Sequence, residues 1–458
     1  MLTVEKIGGT SMTALKEVID NIIYFDRPAD NLYNRVFVVS AFSGVTNLLL
    51  EDKKTKLPGV YHRILNNEDF HQALAALVAR LKDINQSYAH LGLEKALADE
   101  FIETHINKAQ TYLENMVDIL ASGYVSREGI LQAAREILAS IGETHSAFVL
   151  TNILKHQGVN AVLVDLSGFD DQRPFTIDQR IKDAFSGIDL ENCLCVATGY
   201  AKGTEGIMRE FDRGYSEVTF SKIAEILKPV EAIIHKEYHL STADPALVGI
   251  DNCKPVGNTN YDIADQLADV GMEAIHPKAS KPLEMNGINL RIKNTFQPSH
   301  PGTLITRSYV SALKRVEVIT GIDRLMLIDV FDPLMVGNVG SDLQIMQLFY
   351  KHGVSYTFKA TSANSISIVI WEQDFKEELV IELGQSFEKI TVEKVAMVCL
   401  LGSNMDQPGL LAKAATALAK NDINIISAGF ALRKVNIQFL IAREQFKTAI
   451  VALNEAVG

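Results

Sequence analysis

One tryptophan and four cysteines are all that this chain of 458 residues carries of either type. Four thiols over that length make no disulfide framework, so the simpler reading is a protein of a reducing cytoplasm. Positive charge is also short: Lys and Arg number 44 against 56 Asp and Glu, a net charge of −12. That balance argues against a nucleic-acid coat or an anionic membrane partner, and any positive field for an anionic substrate must be local. Long apolar runs are missing too. None reaches the roughly 18 uninterrupted residues of a membrane span, and the longest, such as 36–39 and 162–164, are strand-length. The opening MLTVEKIGGTS has no apolar stretch and no cleavage site, so it does not read as a secretory leader. What remains is ordinary globular material, 47% hydrophobic and 22% charged, which excludes wholesale disorder. The length suggests about three domains.

Strands and helices alternate in the first part, as in an α/β sheet. Residues 4–7 read as a strand closed by Gly8-Gly9, and a helix follows at about 12–25. Val36-Phe37-Val38-Val39 is apolar throughout, as expected of a strand buried on both faces of a parallel sheet. From 66 to 157 the pattern is helical, with Leu74, Leu77, Val78, Leu81 and Ile84 at i, i+3, i+4 spacing. Two polar-rich helices, about 66–88 and 94–121, read as a hairpin inserted into the sheet domain. Strands resume at 160–166, 193–198, 230–235 and 288–293, with helices at 214–227 and 259–270. The last of these opens on Thr259-Asn260-Tyr261-Asp262, a capping-box variant. A Pro/Gly/Ser stretch at 298–302 marks a boundary. Beyond it, residues 314–372 and 393–456 read as two related βαββ units, a repeat of about sixty residues compatible with a ferredoxin-like α+β arrangement.

Four constellations carry chemistry. In Lys6-Ile7-Gly8-Gly9-Thr10-Ser11, two glycines at a strand end let backbone N–H groups approach an anion, and Lys6 adds a compact charge. It reads as a phosphoryl-transfer cradle or as a plain turn with a solvated lysine; the glycine spacing fits neither a P-loop nor a dinucleotide fingerprint. Ser40-Ala41-Phe42-Ser43-Gly44-Val45-Thr46-Asn47 follows the next strand, at the sheet edge where ligands bind in open parallel sheets. Its alternative is simple helix capping by Ser43. Gly142-Glu143 reads as a helix opening, where an acid complements the dipole or meets a substrate ammonium. Arg209 to Glu217 alternates charges around Gly214, either as a solvated loop or with Arg213 gripping a carboxylate. Cys193 and Cys195 share a strand face and read as core. His235 and His239 are four apart in a region without helix character, so no protein metal site is expected.

The order of these motifs resembles the aspartate kinases of the amino-acid kinase superfamily. KIGGTS at 6–11, VVSAFSGVTNLL at 38–49, SIGET at 140–144, ATGYAKG at 197–203, DRGYSEVTFSKIAEIL at 212–227, STADP at 241–245, EAIHPKA at 273–279 and PGTLI at 301–305 are similar to the family's ordered series. The resemblance covers nearly the whole chain. It implies a three-layer α/β/α amino-acid-kinase domain over 1–305, with the helical insertion at about 66–121, followed by ferredoxin-like ACT domains at 314–385 and 393–458. It implies ATP-dependent phosphorylation of the β-carboxylate of L-aspartate, with Mg²⁺ arriving on ATP. Lys6 and Arg213 are then the catalytic residues. Lys6, Gly8, Gly9, Thr10, Lys236 and Ser241 hold the nucleotide. Ser40, Thr46, Glu143, Arg213 and Glu217 bind the substrate. An amino-acid effector would sit at the Gly-rich loop before the first-repeat helix, on Met335, Asn338, Gly340 and Asp342. ACT pairing implies a homodimer or larger assembly in the cytoplasm, with no nucleic-acid or membrane partner.

The chain also departs from the family pattern. The family's G-R-G-G-S-D is Asp212-Arg213-Gly214-Tyr215-Ser216-Glu217 here, and of the nucleotide segment only Thr242-Ala243-Asp244-Pro245 survives. A family lysine near ATP is Glu273, and Lys236 or Lys278 is the candidate replacement. Such divergence resembles forms dedicated to a specialised pathway such as ectoine synthesis. The competing readings are another carboxylate kinase of the superfamily and a catalytically impaired homologue that senses amino acids.

Overall fold

The computed structural model describes the chain except residues 28–31, 53–54, 212–213, 273 and 431–432. Two compact units emerge, one comprising Met1–His239 and Ile275–Arg307, the other Leu240–Ala274 and Ser308–Gly458.

In the first unit β1 (Thr3–Ile7), β2 (Arg35–Val39), β3 (Ala161–Val164), β4 (Leu194–Thr198), β5 (Glu231–Lys236), β6 (Leu290–Asn294) and β7 (Thr303–Thr306) lie in the order β3-β4-β2-β1-β5-β6-β7. The strands pair parallel up to β6, and β7 is antiparallel to it. β2 and β4 are buried at every position; their apolar runs at 36–39 and 194–197 suit central strands, and Arg35 and Thr198 at their ends are buried polar groups. Lys6 on β1 stands level with Val38 on β2 and Ile234 on β5, so its side chain emerges near the carboxyl edge of the sheet. Glu5, one residue earlier, faces the other side.

The single helix expected at 12–25 is broken. Gly9–Thr13 (α1) and Leu15–Val18 are separated at Ala14, whose ψ of 56° leaves the helical basin, and a wider π turn follows at Ile19–Ile23. A one-turn helix α2 (Val45–Leu49) follows β2. The expected hairpin is present as α3 (His71–Tyr88) and α4 (Lys95–Ala121). Each buries one stripe: Leu74, Leu77, Leu81 and Ile84 on α3, and Ala98, Ile102, Ile106 and Leu113 on α4. Next comes α5 (Arg127–His156), buried from Leu138 to Ser146 without a break. It is long and apolar enough to cross a membrane by composition, but 89% of that stretch is buried within the fold. α6 (Tyr215–Leu227) precedes β5 and α7 (Pro277–Met285) precedes β6, and further helices lie at Val60–Leu65, Ile177–Phe185 and Ile207–Phe211.

The second unit holds one antiparallel sheet built by both repeats. Its strands are β8 (Val318–Phe331), β9 (Phe358–Thr361), β10 (Ser365–Trp371), β11 (Lys389–Leu401), β12 (Ser427–Phe430) and β13 (Asn436–Ala442), in the order β9-β10-β8-β11-β13-β12. The first repeat opens on one long strand, β8, rather than the two short ones its sequence suggests. β8 pairs with β11 from Lys389↔Phe331 to Leu401↔Val318, with a bulge between Val395 and Met397. The repeats therefore pair with each other inside one chain, and the remaining sheet edges, β9 and β12, are four residues long. Helices α8 (Ser341–Lys351) and α9 (Glu377–Ser386) belong to the first repeat, α10 (Leu410–Lys420) and α11 (Phe446–Val457) to the second.

Alternation along β11 explains where residues 240–274 belong. Ala396, Val398 and Leu400 join Leu418 and Leu453 in one cluster, while Val395, Met397, Cys399 and Leu401 face the other way onto Ile263, Leu267 and Val270. The helix Tyr261–Asp269 thus covers a sheet face that would otherwise be bare. Sequence order had grouped this segment with the catalytic domain. Its helix is capped by Asn260, whose side chain accepts from the Ile263 amide at 2.9 Å, one residue later than the expected Thr259 cap.

A buried polar chain ties the hairpin to α5: His145 Nε2 donates to Asn85 Oδ1 at 2.8 Å, and Asn85 Nδ2 donates to Asp99 at 2.8 Å. Burial pushes the His145 imidazole down to about 3, so it is neutral. In Asn85→Ala the imidazole N–H is left buried without its acceptor, and urea unfolding is expected to show a loss of about 1–3 kcal/mol. A loss under about 0.5 kcal/mol, the range of surface substitutions, would mean that the tie is dispensable.

Candidate active site

Two parallel-strand ends, α5 and the start of α6 bring four ionisable groups together. Lys6 Nζ lies 3.3 Å from Glu217 Oε1. The other carboxylate oxygen of Glu217 accepts from the His276 amide at 2.7 Å. Burial alone would raise the Glu217 carboxyl, but Lys6, Lys236 and the His276 N–H hold it below its ordinary value. Lys236, at the end of β5, is therefore electrostatically part of the same cluster.

Glu143 sits on α5, and both Glu143 and Ser216 are buried. Its Oε1 accepts from Ser216 Oγ at 2.7 Å, and Ser216 Oγ accepts in turn from Ser40 Oγ at 3.2 Å. Oε2 makes no hydrogen bond of good geometry among the described residues. Burial pushes this carboxyl up to about 8, against the Ser216 hydrogen bond and the Lys6 charge. The site thus holds one ionised carboxylate, Glu217, and one that is protonated at neutral pH. Glu143 lies in the middle of a 30-residue helix, not in its first turn. The dipole explanation for an acid at this position therefore falls away.

Close approaches explain the glycines. A Cβ on Gly9 would stand 2.7 Å from the Ala41 carbonyl oxygen, and one on Gly142 2.8 Å from Ala41 Cβ. On Gly199 it would meet Glu143 Oε2 and the Val39 carbonyl oxygen at 2.7 Å each. Gly8 is less crowded, its nearest neighbour being 3.8 Å away, and it precedes α1 with extended backbone. Thr10 is exposed on α1, and Thr46 is half-buried on α2. Ser43 does not cap α2; Gly44 precedes the helix at φ 83°, and the Ser43 amide donates to Thr13 Oγ1 at 2.9 Å.

Sequence reasoning missed three groups. Glu237 Oε1 accepts from the Ser11 amide at 3.0 Å and its hydroxyl at 3.1 Å, fastening the Gly-Gly turn to β5, and no motif marks it. Ser216 lies two residues after Gly214 and beside Glu217, and that position is the signal that could have singled it out. Glu136 accepts from Tyr200 Oη at 2.7 Å and the Met208 amide at 2.8 Å, ahead of the segment leading to Arg213.

Arg213 and Glu273 lie outside the described residues. Lys278 is engaged elsewhere: its Nζ donates to the Glu210 carbonyl at 3.1 Å and sits 4.9 Å from the Phe211 ring centre. Ser241 belongs to the second unit, bridged to Pro255. His276 caps α7 by accepting from the Lys278 amide at 3.2 Å. His235 contacts Glu5 and His239 contacts Gln297, so the two do not face a common ligand. At the effector loop, Met335 packs into the first-repeat core instead of lining a site. Asn338 Nδ2 donates to the Leu334 carbonyl at 2.7 Å, Gly340 precedes α8 at φ 102°, and Asp342 pairs with Lys359 at 2.9 Å. Leu334, Val336, Val339 and Leu343 around it are exposed.

With this geometry in place, comparison with known proteins is specific. The amino acid kinase family model matches residues 1–294, and an ACT domain model matches 398–457. Aspartate kinase Ask_Ect of Stutzerimonas stutzeri is 42% identical, over 100% of this chain and 97% of its own length. Aspartokinase 1 of Arabidopsis thaliana is 25% identical, over 99% of this chain and 79% of its own. Among solved structures, Clostridium acetobutylicum aspartate kinase superposes with a TM-score of 0.77 at 22% identity, each chain covered fully. Escherichia coli aspartokinase III with aspartate and ADP gives 0.71 at 18% identity, covering 100% of this chain and 99% of its own. The chain belongs to the amino acid kinase family, in its aspartate kinase branch.

The raised Glu143 carboxyl makes a signed prediction. Because its folded value lies above that of an unfolded glutamate, the folded state binds the extra proton. The associated stability is present at low pH and is lost as pH rises through the window from the unfolded value to about 8. Ligand-free Glu143→Gln should therefore unfold at higher free energy than the parent at pH 8, by about 1–3 kcal/mol. The gap should close below pH 5. An equal or wider gap at low pH would show that Glu143 is not held protonated.

Proposed function

We propose that this chain transfers the γ-phosphate of ATP to the β-carboxylate of L-aspartate, giving 4-phospho-L-aspartate and ADP. The observation that carries this reading is the convergence of Lys6, Glu217, Glu143 and Ser216 at the carboxyl edge of β1, β2 and β4. A carboxylate oxygen attacks the γ-phosphorus and the bond to the β-phosphate oxygen breaks. No proton has to move, so catalysis consists of positioning and charge neutralisation.

In this reading Lys6 and Lys236 neutralise the transferring phosphate, while Gly8, Gly9 and Thr10 cradle it. Ser40 and Thr46 line the aspartate pocket, and Arg213 grips a substrate carboxylate. Glu217, ionised, and Glu143, which gives up its proton when a cation arrives, face the substrate ammonium. Mg²⁺ lowers the negative charge on the phosphates when bound. Such an ion is carried mainly by phosphate oxygens and water. The site is that of a cytoplasmic enzyme supplying aspartate-derived amino acids or, given the divergent nucleotide segment, a specialised route such as ectoine synthesis. The ACT repeats regulate it through an amino-acid effector in a homodimer or larger assembly; the exposed Leu334, Val336 and Val339 support that surface.

Hydroxamate trapping of the acyl phosphate with ATP, Mg²⁺ and a panel of amino acids tests the assignment. Turnover with L-aspartate alone is expected, and Lys6→Ala should lower kcat by roughly 100-fold or more. Turnover with another acid, or with none, would favour the other carboxylate kinase or the sensor. For regulation, lysine, threonine and methionine are titrated singly and in pairs. At least one should shift activity or melting temperature at millimolar concentration, since an effector acts only through differential affinity for two states. If none does, and removal of residues 310–458 leaves a kinase with unaltered kinetics, the repeats are not regulatory.

A further inference from the structure

The face of β1 opposite Lys6 borders a second polar cavity, of ≈ 560 Å³, within the first unit. Arg27, Arg35 and Lys293 line it, together with His235 and His300. Glu5 and Asp26 are the only carboxylates among the described lining residues.

Glu5 is already committed. Its two oxygens accept from Arg35 Nε at 2.7 Å and Nη2 at 3.1 Å, and His235 Nε2 stands 2.8 Å from Oε2. Arg35 is also committed, since its other N–H groups reach the Ile22 carbonyl at 2.8 Å and the Ile23 carbonyl at 3.0 Å. Lys293 Nζ donates to the neutral Pro298 carbonyl at 3.3 Å. The positive groups destabilise one another. Burial lowers the Lys293 ammonium, Arg291 and Arg27 lower it further, and Glu5 and Glu231 oppose them. Burial and then Arg35 lower the Arg27 guanidinium, against Glu5 and Asp26. Burial, His239 and Lys293 lower the His300 imidazole. Mutually repelling cations around a solvent-filled space are what a negative ligand relieves.

We infer that this cavity is an anion site, taking a small phosphate or carboxylate against Arg27 and Lys293 on the sheet face away from Lys6. The inference does not rest on the kinase assignment and would survive its failure. A planar guanidinium beside a compact ammonium suits an oxyanion, the first by paired hydrogen bonds and the second as a point charge.

Inorganic phosphate and succinate, titrated separately into the full chain by calorimetry, distinguish the two sources of charge. At least one should bind with a millimolar or tighter Kd, equally in the parent and in Lys6→Ala. Its affinity should fall at least about tenfold in Arg27→Gln/Lys293→Met, which loses both cations. Neither anion binding would overturn the proposal. So would binding unchanged in the double variant, which means an adventitious ion only, or binding lost in Lys6→Ala, which means the kinase site. If the double variant does not fold, amine acetylation of the parent read by mass spectrometry decides. The anion should slow labelling of Lys293 several-fold while the exposed Lys278 is unaffected, and equal labelling of Lys293 with and without anion sinks the idea.

Discussion

Two adjacent charges, Glu5 and Lys6, are buried on opposite faces of one parallel strand. Neither is tolerable in that position without partners from elsewhere in the chain. Glu5 takes Arg35 from β2 and His235 from β5; Lys6 takes Glu217 from α6. The neighbouring strands must stand in register for these pairs to form, and α6 must start where it does. The arrangement of the first unit around β1 follows from satisfying both charges at once.

The same requirement sets the two site carboxylates apart. Glu217 has two lysines and an amide to hold it ionised. Glu143 has a hydroxyl and a more distant lysine, and burial wins. Residues of the same type, close in space, thereby differ in charge at neutral pH. Had both been ionised, two buried carboxylates would face Lys6 and Lys236 at once, and the repulsion between them would add to the cost of burying charge.

The second unit obeys a hydrophobic constraint instead. A six-stranded sheet has two faces, and β11 alternates apolar residues onto both. Helices of the repeats cover one face; around the second repeat, the other is covered by residues 240–274. Residues 240–274 are thus built into the core of the second unit, because their apolar side chains find their burial there.

Much of this was legible in the chain. The all-apolar runs of β2 and β4, the 3.6-residue stripes of α3 and α4, and the Gly8-Gly9 turn are local patterns, and local sterics and periodicity suffice to read them. The repeat beyond residue 314 was visible for the same reason. Three things were decided only by the tertiary structure. Glu143 meets Ser216 across 73 residues, and Ser11 meets Glu237 across 226. No spacing rule spans such separations, and the charge state of Glu143 depends on desolvation, which exists only once the fold has closed around it. Residues 240–274 lie between the first unit's β5 and β6 in sequence, yet pack into the second unit. Short-range preference determined what each segment became. Burial of charge and apolar surface, a property of the whole chain, determined which segments met.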